Sequence, residues 1–189
     1  KRINSRLKGP GLTLLTSTSI FYRIFLKDER DVPFAGRRGM KGKDYTHFGK
    51  KSQLLGLLIL GFGGHARSVV DVALASGISD FHFIDHNAQP GENFLGFPVT
   101  EQLPDNLAEK WSTFPASGDN EQRAKQIQVL NELNWPIATI VAPSATIGIG
   151  STIEQGSFIG HHAHIGPMAA IGLGCIVNNG AIVEHECVI

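Results

Sequence analysis

The chain has little of several things. In 189 residues it carries two cysteines, two methionines, two tryptophans and two tyrosines. Cys175 and Cys187 stand in no CxxC or Cys/His spacing, so a zinc site is not expected. The pattern predicts two reduced, buried cysteines in a cytoplasmic protein. No apolar run approaches the ~20 residues that span a bilayer, so no membrane association is expected. The stretch 12–25 is moderately apolar behind a basic start, but it contains Arg23 and several hydroxyl residues and lacks a clear cleavage site, against a signal peptide.

Net charge is also absent, but only on average. Residues 1–51 hold 13 of the 17 Lys+Arg and 4 of the 17 Asp+Glu, and the remainder is acidic by the same margin. Stretches this different point to separate structural histories. The first shows no sustained period, and Gly-Pro-Gly at 9–11 and Arg37-Arg38-Gly39-Met40-Lys41-Gly42-Lys43 interrupt it. Such a patch suits nucleic acid or anionic lipid. The preferred expectation is a poorly ordered basic extension with no nucleic-acid partner. The chain opens on Lys1, and Met40 lies shortly before the first strong strand, so a native start near Met40 is expected.

What the chain has in abundance is a period of six. From Val141 the hexapeptides read VAPSAT, IGIGST, IEQGSF, IGHHAH, IGPMAA, IGLGCI, VNNGAI and VEHECV, then Ile189. Every first position is Val or Ile. The fifth is Ala145, Ser151, Ser157, Ala163, Ala169, Cys175, Ala181 and Cys187, always small. This period fits neither an amphipathic helix nor an alternating strand. It fits a coil of short parallel strands, with aliphatic residues stacked inside and small residues at tight corners, a β-solenoid.

Between these segments, residues 52–140 read as α/β. Leu57-Leu58-Ile59-Leu60 is a buried parallel strand. Gly61-x-Gly63-x-x-Ala66 opens a helix that ends near Gly77, and Phe81-His82-Phe83-Ile84 is a second strand running into Asp85. Strand, glycine turn, helix, strand and acid form the opening unit of a Rossmann-like fold. The glycines permit a tight turn and let backbone N–H groups at the helix start face a phosphate. Asp85 is placed for a ribose or base. The unligated alternative is a tight turn and nothing more. Further on, Phe97-Pro98-Val99 predicts a strand, Gln102-Leu103-Pro104 a turn into a helix, and residues 114–117 another strand. Asp119 or Asn120 then caps a helix through Leu133. The unit is too short for a full dinucleotide fold; half of one can hold a mononucleotide.

Four of the eight histidines lie in the repeats. His161, His162 and His164 cluster in one hexapeptide, as a metal site or as exposed polar residues; the second is expected, and no metal is assigned. His185 lies between Glu184 and Glu186. An imidazole whose ordinary pKa is ~6.5 takes a proton near neutrality, and an orienting carboxylate makes it a better base. A solvated corner is the plain alternative.

Four blocks now resemble one family. They are Leu58-Ile59-Leu60-Gly61-Phe62-Gly63-Gly64-His65-Ala66-Arg67, Gly118-Asp119-Asn120-x-x-Arg123, Ala142-Pro143-Ser144-Ala145-Thr146-Ile147-Gly148, and Asn178-Asn179-Gly180-Ala181-Ile182-Val183-Glu184-His185-Glu186-Cys187. In order over 54–189, they resemble the NeuD/PglD-type sugar O-/N-acetyltransferases. The resemblance implies a left-handed β-helix with three hexapeptides per coil, a homotrimer with active sites between subunits, and acetyl-CoA as donor co-substrate. It implies a sugar acceptor, a UDP-amino-sugar or sialic acid, in surface-polysaccharide or glycan biosynthesis. It makes His185 the general base, with Glu186 and Glu184 as candidates to orient it and Asn178 near the reacting groups. Gly61, Gly63, Gly64, His65 and Asp85 fall on the acceptor side. Direct transfer is expected, without a covalent acyl-enzyme.

The family continues for further coils that supply most of the acetyl-CoA groove. Eight hexapeptides are under three coils, so an incomplete solenoid is expected, with acetyl-CoA-binding residues beyond Ile189. Two rival readings stand beside the acetyltransferase. One is an inactive remnant that only binds nucleotide-sugar; the other, an NAD-linked oxidoreductase, rests only on the glycine loop and Asp85.

Overall fold

The computed structural model describes residues 55–189. The basic extension 1–51 and the proposed start at Met40 lie outside the described residues. The first strand, β1 (Gly56–Leu60), is buried along its whole length. Its alternation divides two cores. Leu57 and Ile59 pack with Phe81, Phe83 and the apolar face of α1 (Gly64–Ala75), while Leu58 and Leu60 pack with Ile84, Leu103 and Leu130. A central strand covered on both faces has no use for polar positions.

The chain crosses through α1 to β2 (Asp80–Ile84), then forms the short β3 (Asn93–Phe94) and β4 (Phe97–Thr100). These two pair antiparallel around Leu95 and Gly96, both with positive φ, as a two-residue hairpin of the primed type requires. The chain then returns to place β5 (Trp111–Pro115) on the other side of β1. The sheet order is β3-β4-β2-β1-β5, parallel except for β3.

Two expectations change here. Residues 101–110 form turns and bends without a helix, because Pro104, Asp105 and Asn106 favour turns and only Leu103 is buried. β5 also begins earlier than expected, at Trp111. Its Thr113 is fully buried, but the hydroxyl donates to the Pro136 carbonyl at 2.8 Å, which satisfies it. The last helix of this part, α2 (Asn120–Glu132), is capped by Asp119, whose side chain accepts from the Gln122 N–H at 2.9 Å.

From Ile140 eight two-residue strands follow: β6 (Ile140–Val141), β7 (Thr146–Ile147), β8 (Thr152–Ile153), β9 (Phe158–Ile159), β10 (His164–Ile165), β11 (Ala170–Ile171), β12 (Ile176–Val177) and β13 (Ile182–Val183). They pair in parallel with partners 18 residues away: Ile140 with Phe158 and then Ile176, Thr146 with His164 and then Ile182, Thr152 with Ala170. Three hexapeptides therefore make one coil with three faces. Ile159, Ile165, Ile171, Val177 and Val183 fill the interior together with Ala163 and Ala169. Cys175 and Cys187 are free and only partly buried, where full burial was expected, because the coil that contains them has no further coil packed over it among the described residues.

The fourth position of the hexapeptide carries a conformation that the sequence reading did not anticipate. Gly150, Gly156, His162, Met168, Gly174, Gly180 and Glu186 all have positive φ. The left-handed residue turns each of these seven corners, and glycine is its low-strain occupant.

One face of the solenoid is covered. Ile140, Phe158 and Ile176 lie against the core formed by β1, β2 and α1. At one edge of that face Ser76 Oγ donates to the Val141 carbonyl at 3.1 Å. At the other, α2 lies so close that a Cβ on Gly174 would stand 2.5 Å from Ile127 Cδ1. The corner that joins the two uncovered faces, through residues 148–151, 166–169 and 184–187, is opposite.

Candidate active site

The strand order reverses between β1 and β5, and loops leaving the carboxyl ends of these strands diverge around a crevice. A cleft of about 260 Å³ occupies it, bounded by the glycine turn (Gly61 to His65), Asp85, the 116–118 loop and Gln122. Gly61 has φ +101°, closed to most side chains. Gly63 precedes α1 in extended conformation, and no side chain caps the helix. The first-turn N–H groups of α1 are thus left for an anion. The start of α2 borders the same cleft, so two helix N-termini converge there.

Asp85 has a structural task as well as a position. Its Oδ2 accepts from the Phe62 N–H at 2.8 Å and its Oδ1 from the Asn87 N–H at 2.9 Å, which closes the glycine turn against the end of β2. His65 points inward. Its ring meets Phe158 edge-on with centroids 5.0 Å apart and lies 6.3 Å from Phe114. Burial, then the nearby Arg123 guanidinium, lowers its pKa to about 4, so the imidazole is neutral. Its Nε2 is buried without a hydrogen-bond partner.

His185, Glu186 and Glu184 share the corner opposite the covered face. His185 Nδ1 and Glu186 Oε2 are 3.3 Å apart, with the side chains 71% and 76% exposed. Glu186 is one of the three non-glycine residues at the left-handed position of a solenoid corner, with φ +59°. Glu184 is exposed beside them, and the hydrogen-bonded partner of His185 is Glu186. Asn178 is exposed on another corner, one that flanks the covered face. The structure therefore gathers Gly61, Gly63, Gly64, His65 and Asp85 on one side, and His185, Glu184 and Glu186 on the far side of the solenoid.

Of the remaining repeat histidines, His161 and His162 lie with ring centroids 6.4 Å apart, and His161 and His164 each face other partners. His161 Nδ1 is 3.0 Å from Ser144 Oγ and its Nε2 is 3.3 Å from Asp71 Oδ2, while His164 Nδ1 is 2.7 Å from Thr146 Oγ1. Among the described residues no three His, Cys, Asp or Glu side chains are arranged to hold a metal ion, and no helix is long and apolar enough to cross a membrane. The sequence reading missed the contribution of Ser117, Gly118, Gln122 and Gln126 to the cleft. The Gly118-Asp119-Asn120-x-x-Arg123 block was the available signal.

Residues 56–130 match the PglD N-terminal domain family. The acetyltransferase domain of PglB from Neisseria gonorrhoeae, in complex with acetyl coenzyme A, is similar at TM-score 0.66 and 29% identity, over 71% of this chain and 67% of that one. A histidine-to-alanine variant of GDP-perosamine N-acetyltransferase from Caulobacter crescentus, in complex with CoA and GDP-perosamine, is similar at TM-score 0.62 and 27% identity, over 70% of this chain and 64% of that one. An uncharacterized protein of Acanthamoeba polyphaga mimivirus is 29% identical over 104 residues, 54% of this chain; the match spans only 21% of that protein. Residues 56–130 thus belong to the PglD N-terminal domain family, and the chain as a whole is similar to solved acetyltransferases, one of them a sugar N-acetyltransferase.

Proposed function

We propose that the chain is an acetyl-CoA-dependent acetyltransferase acting on a nucleotide-linked or free amino-sugar, or on sialic acid. The observation that carries this reading is the exposed His185–Glu186 pair on a solenoid corner, in a chain that also presents a phosphate-suited crevice. We read residues 52–140 as a Rossmann-like acceptor-binding domain, residues 141–189 as a left-handed β-helix, and the cell compartment as the cytoplasm.

In the crevice, the N–H groups of Gly63 and Gly64 and the start of α2 would bind the phosphates of a nucleotide-sugar. Asp85 keeps lone-pair capacity for a ribose or base while it holds the turn. At the solenoid corner, Glu186 orients His185 through Nδ1, so Nε2 is the nitrogen that takes the proton from the acceptor amine or hydroxyl. The acceptor attacks the thioester carbonyl, the C–S bond breaks, and the proton held by His185 leaves with the CoA thiolate. A backbone N–H stabilises the oxyanion. Neither cysteine is needed as an acyl carrier. Burial, the largest influence, raises the Cys175 pKa, which disfavours its thiolate.

The solenoid separates crevice from base within one chain. A neighbouring copy that brings its His185 to this crevice, as in a homotrimer, would complete the site, with Asn178 on a corner flanking the covered face of its own chain. Sedimentation analysis of the protein at micromolar concentration tests that assembly; a strictly monomeric active enzyme would refute it.

The activity is tested by thiol release from acetyl-CoA with UDP- and GDP-amino-sugars and sialic acids. Turnover that falls at least 10²-fold in His185→Ala supports the assignment, and an unchanged rate overturns it. Nucleotide binding without turnover on any acceptor would favour the inactive binder.

A further inference from the structure

Arg123 is 7% exposed, yet among the described residues no carboxylate forms an ion pair with it. Its guanidinium instead gathers backbone carbonyls from two parts of the molecule. Nη1 donates to the carbonyls of Ser117 at 2.9 Å, Gly118 at 3.3 Å and Asp119 at 3.4 Å. Nη2 donates to Asn120 Oδ1, and Nε to the Gly174 carbonyl, both at 2.6 Å. The first group belongs to the loop that walls the crevice. The Gly174 carbonyl belongs to a solenoid corner 51 residues later in the chain.

A planar guanidinium has five N–H donors in a rigid fork, so fixing one arm fixes the direction of the others. Here one arm is set by the solenoid and the other by the crevice wall. Gly174 is suited to this contact. Its φ is +64°, and a Cβ there would meet Ile127 Cδ1 at 2.5 Å, so a larger residue would both strain the corner and push the Ile127 side chain of α2 aside. Peptide carbonyls turned toward a buried cation also leave the opposite side of the loop for its N–H groups. The Ser117 N–H accounts for one of them by donating to Gln126 Oε1 at 3.1 Å.

We propose that Arg123 is a positioning residue, coupling the solenoid corner at Gly174 to the 117–119 wall so that the corner sets the crevice's affinity for a nucleoside diphosphate. It acts through the loop rather than on the ligand. The consequence for binding rests on the nucleotide-sugar reading above; the mechanical link between corner and wall does not.

The test is a double-mutant cycle on the full-length protein, with Gly174→Ala, Arg123→Lys and the pair. UDP and GDP affinity is measured by calorimetry and amide exchange by mass spectrometry, with and without nucleotide. Gly174→Ala, which is outside the cleft, should weaken nucleotide binding about tenfold and accelerate exchange at 117–119. In the Arg123→Lys background the same change should add less than twofold. Fully additive effects, or unchanged exchange at 117–119 in Gly174→Ala, would overturn the proposal. If the unmodified protein binds neither nucleotide but Gly174→Ala still accelerates exchange at 117–119 in an Arg123-dependent manner, the link stands and the nucleotide reading fails. Should Arg123→Lys not fold, Gly174→Ala beside Asn120→Ala, which removes only the Nη2 contact, still decides it: both should loosen the wall, and an unaffected wall in both refutes the role.

Discussion

His65, from the glycine turn, stands edge-on to Phe158 of the solenoid at an interplanar angle of 85°. This contact joins the crevice to the covered face and makes the junction sensitive to protons. His65 is neutral in the fold with a pKa of about 4, against 6.5 unperturbed. Below 6.5 the unfolded chain takes up a proton that the folded one refuses, so stability present at neutral pH is lost as pH falls from 6.5 toward 4. Allowing for partial exposure, the loss is on the order of 1–2 kcal/mol. His65→Phe should flatten part of the fall in thermal midpoint across that range. His82, lowered in pKa by burial, should add to the fall in the same direction. An unchanged pH profile in His65→Phe would contradict this account.

Glu186 should trade stability for activity. Its backbone is in the left-handed region at φ +59°, where a side chain costs about 1 kcal/mol or more. Glu186→Gly should raise the thermal midpoint by a few degrees while lowering kcat roughly tenfold, with the acceptor KM little changed. Glu186→Gln, which keeps the strain, should lose activity without gaining stability. Melting curves and steady-state kinetics on the two variants check this.

Asp85→Ala should act on both fold and crevice. It removes the acceptor of the Phe62 and Asn87 N–H groups, a loss of about 1–2 kcal/mol measurable by denaturant titration. Nucleotide binding should weaken more than stability alone explains, as calorimetry at a temperature where the variant is fully folded would show.

Asp119→Ala should cost about 1 kcal/mol of stability through the lost cap of α2. The cap is made to the Gln122 N–H at 2.9 Å, beside the cleft, so faster amide exchange should appear first at 119–122. A uniform increase along the whole helix would instead indicate global destabilisation.

Much of this was legible in the residues. The interior of the solenoid follows from Val141, Ile147 and their successors, because a six-residue spacing of aliphatics has no other packed form. The β1–α1 turn was equally readable from Gly61, Gly63 and the aliphatic run before them. The hairpin at Leu95 and β5 at Trp111–Thr113 were less so. Leu95 adopts positive φ only because strand pairing on either side imposes it, and Thr113 is buried because a distant carbonyl, that of Pro136, satisfies its hydroxyl.

The sequence by itself determined the local devices: the hexapeptide coil, the glycine turn, the capped helix and the Glu-His-Glu corner. Each depends on neighbours within a few residues or on a fixed period. Only the tertiary structure decided which solenoid face is covered, that His185 is opposite it, and that Arg123 spans from the crevice wall to Gly174. Those relations depend on how two surfaces far apart in sequence pack, and no local spacing encodes the angle at which they meet.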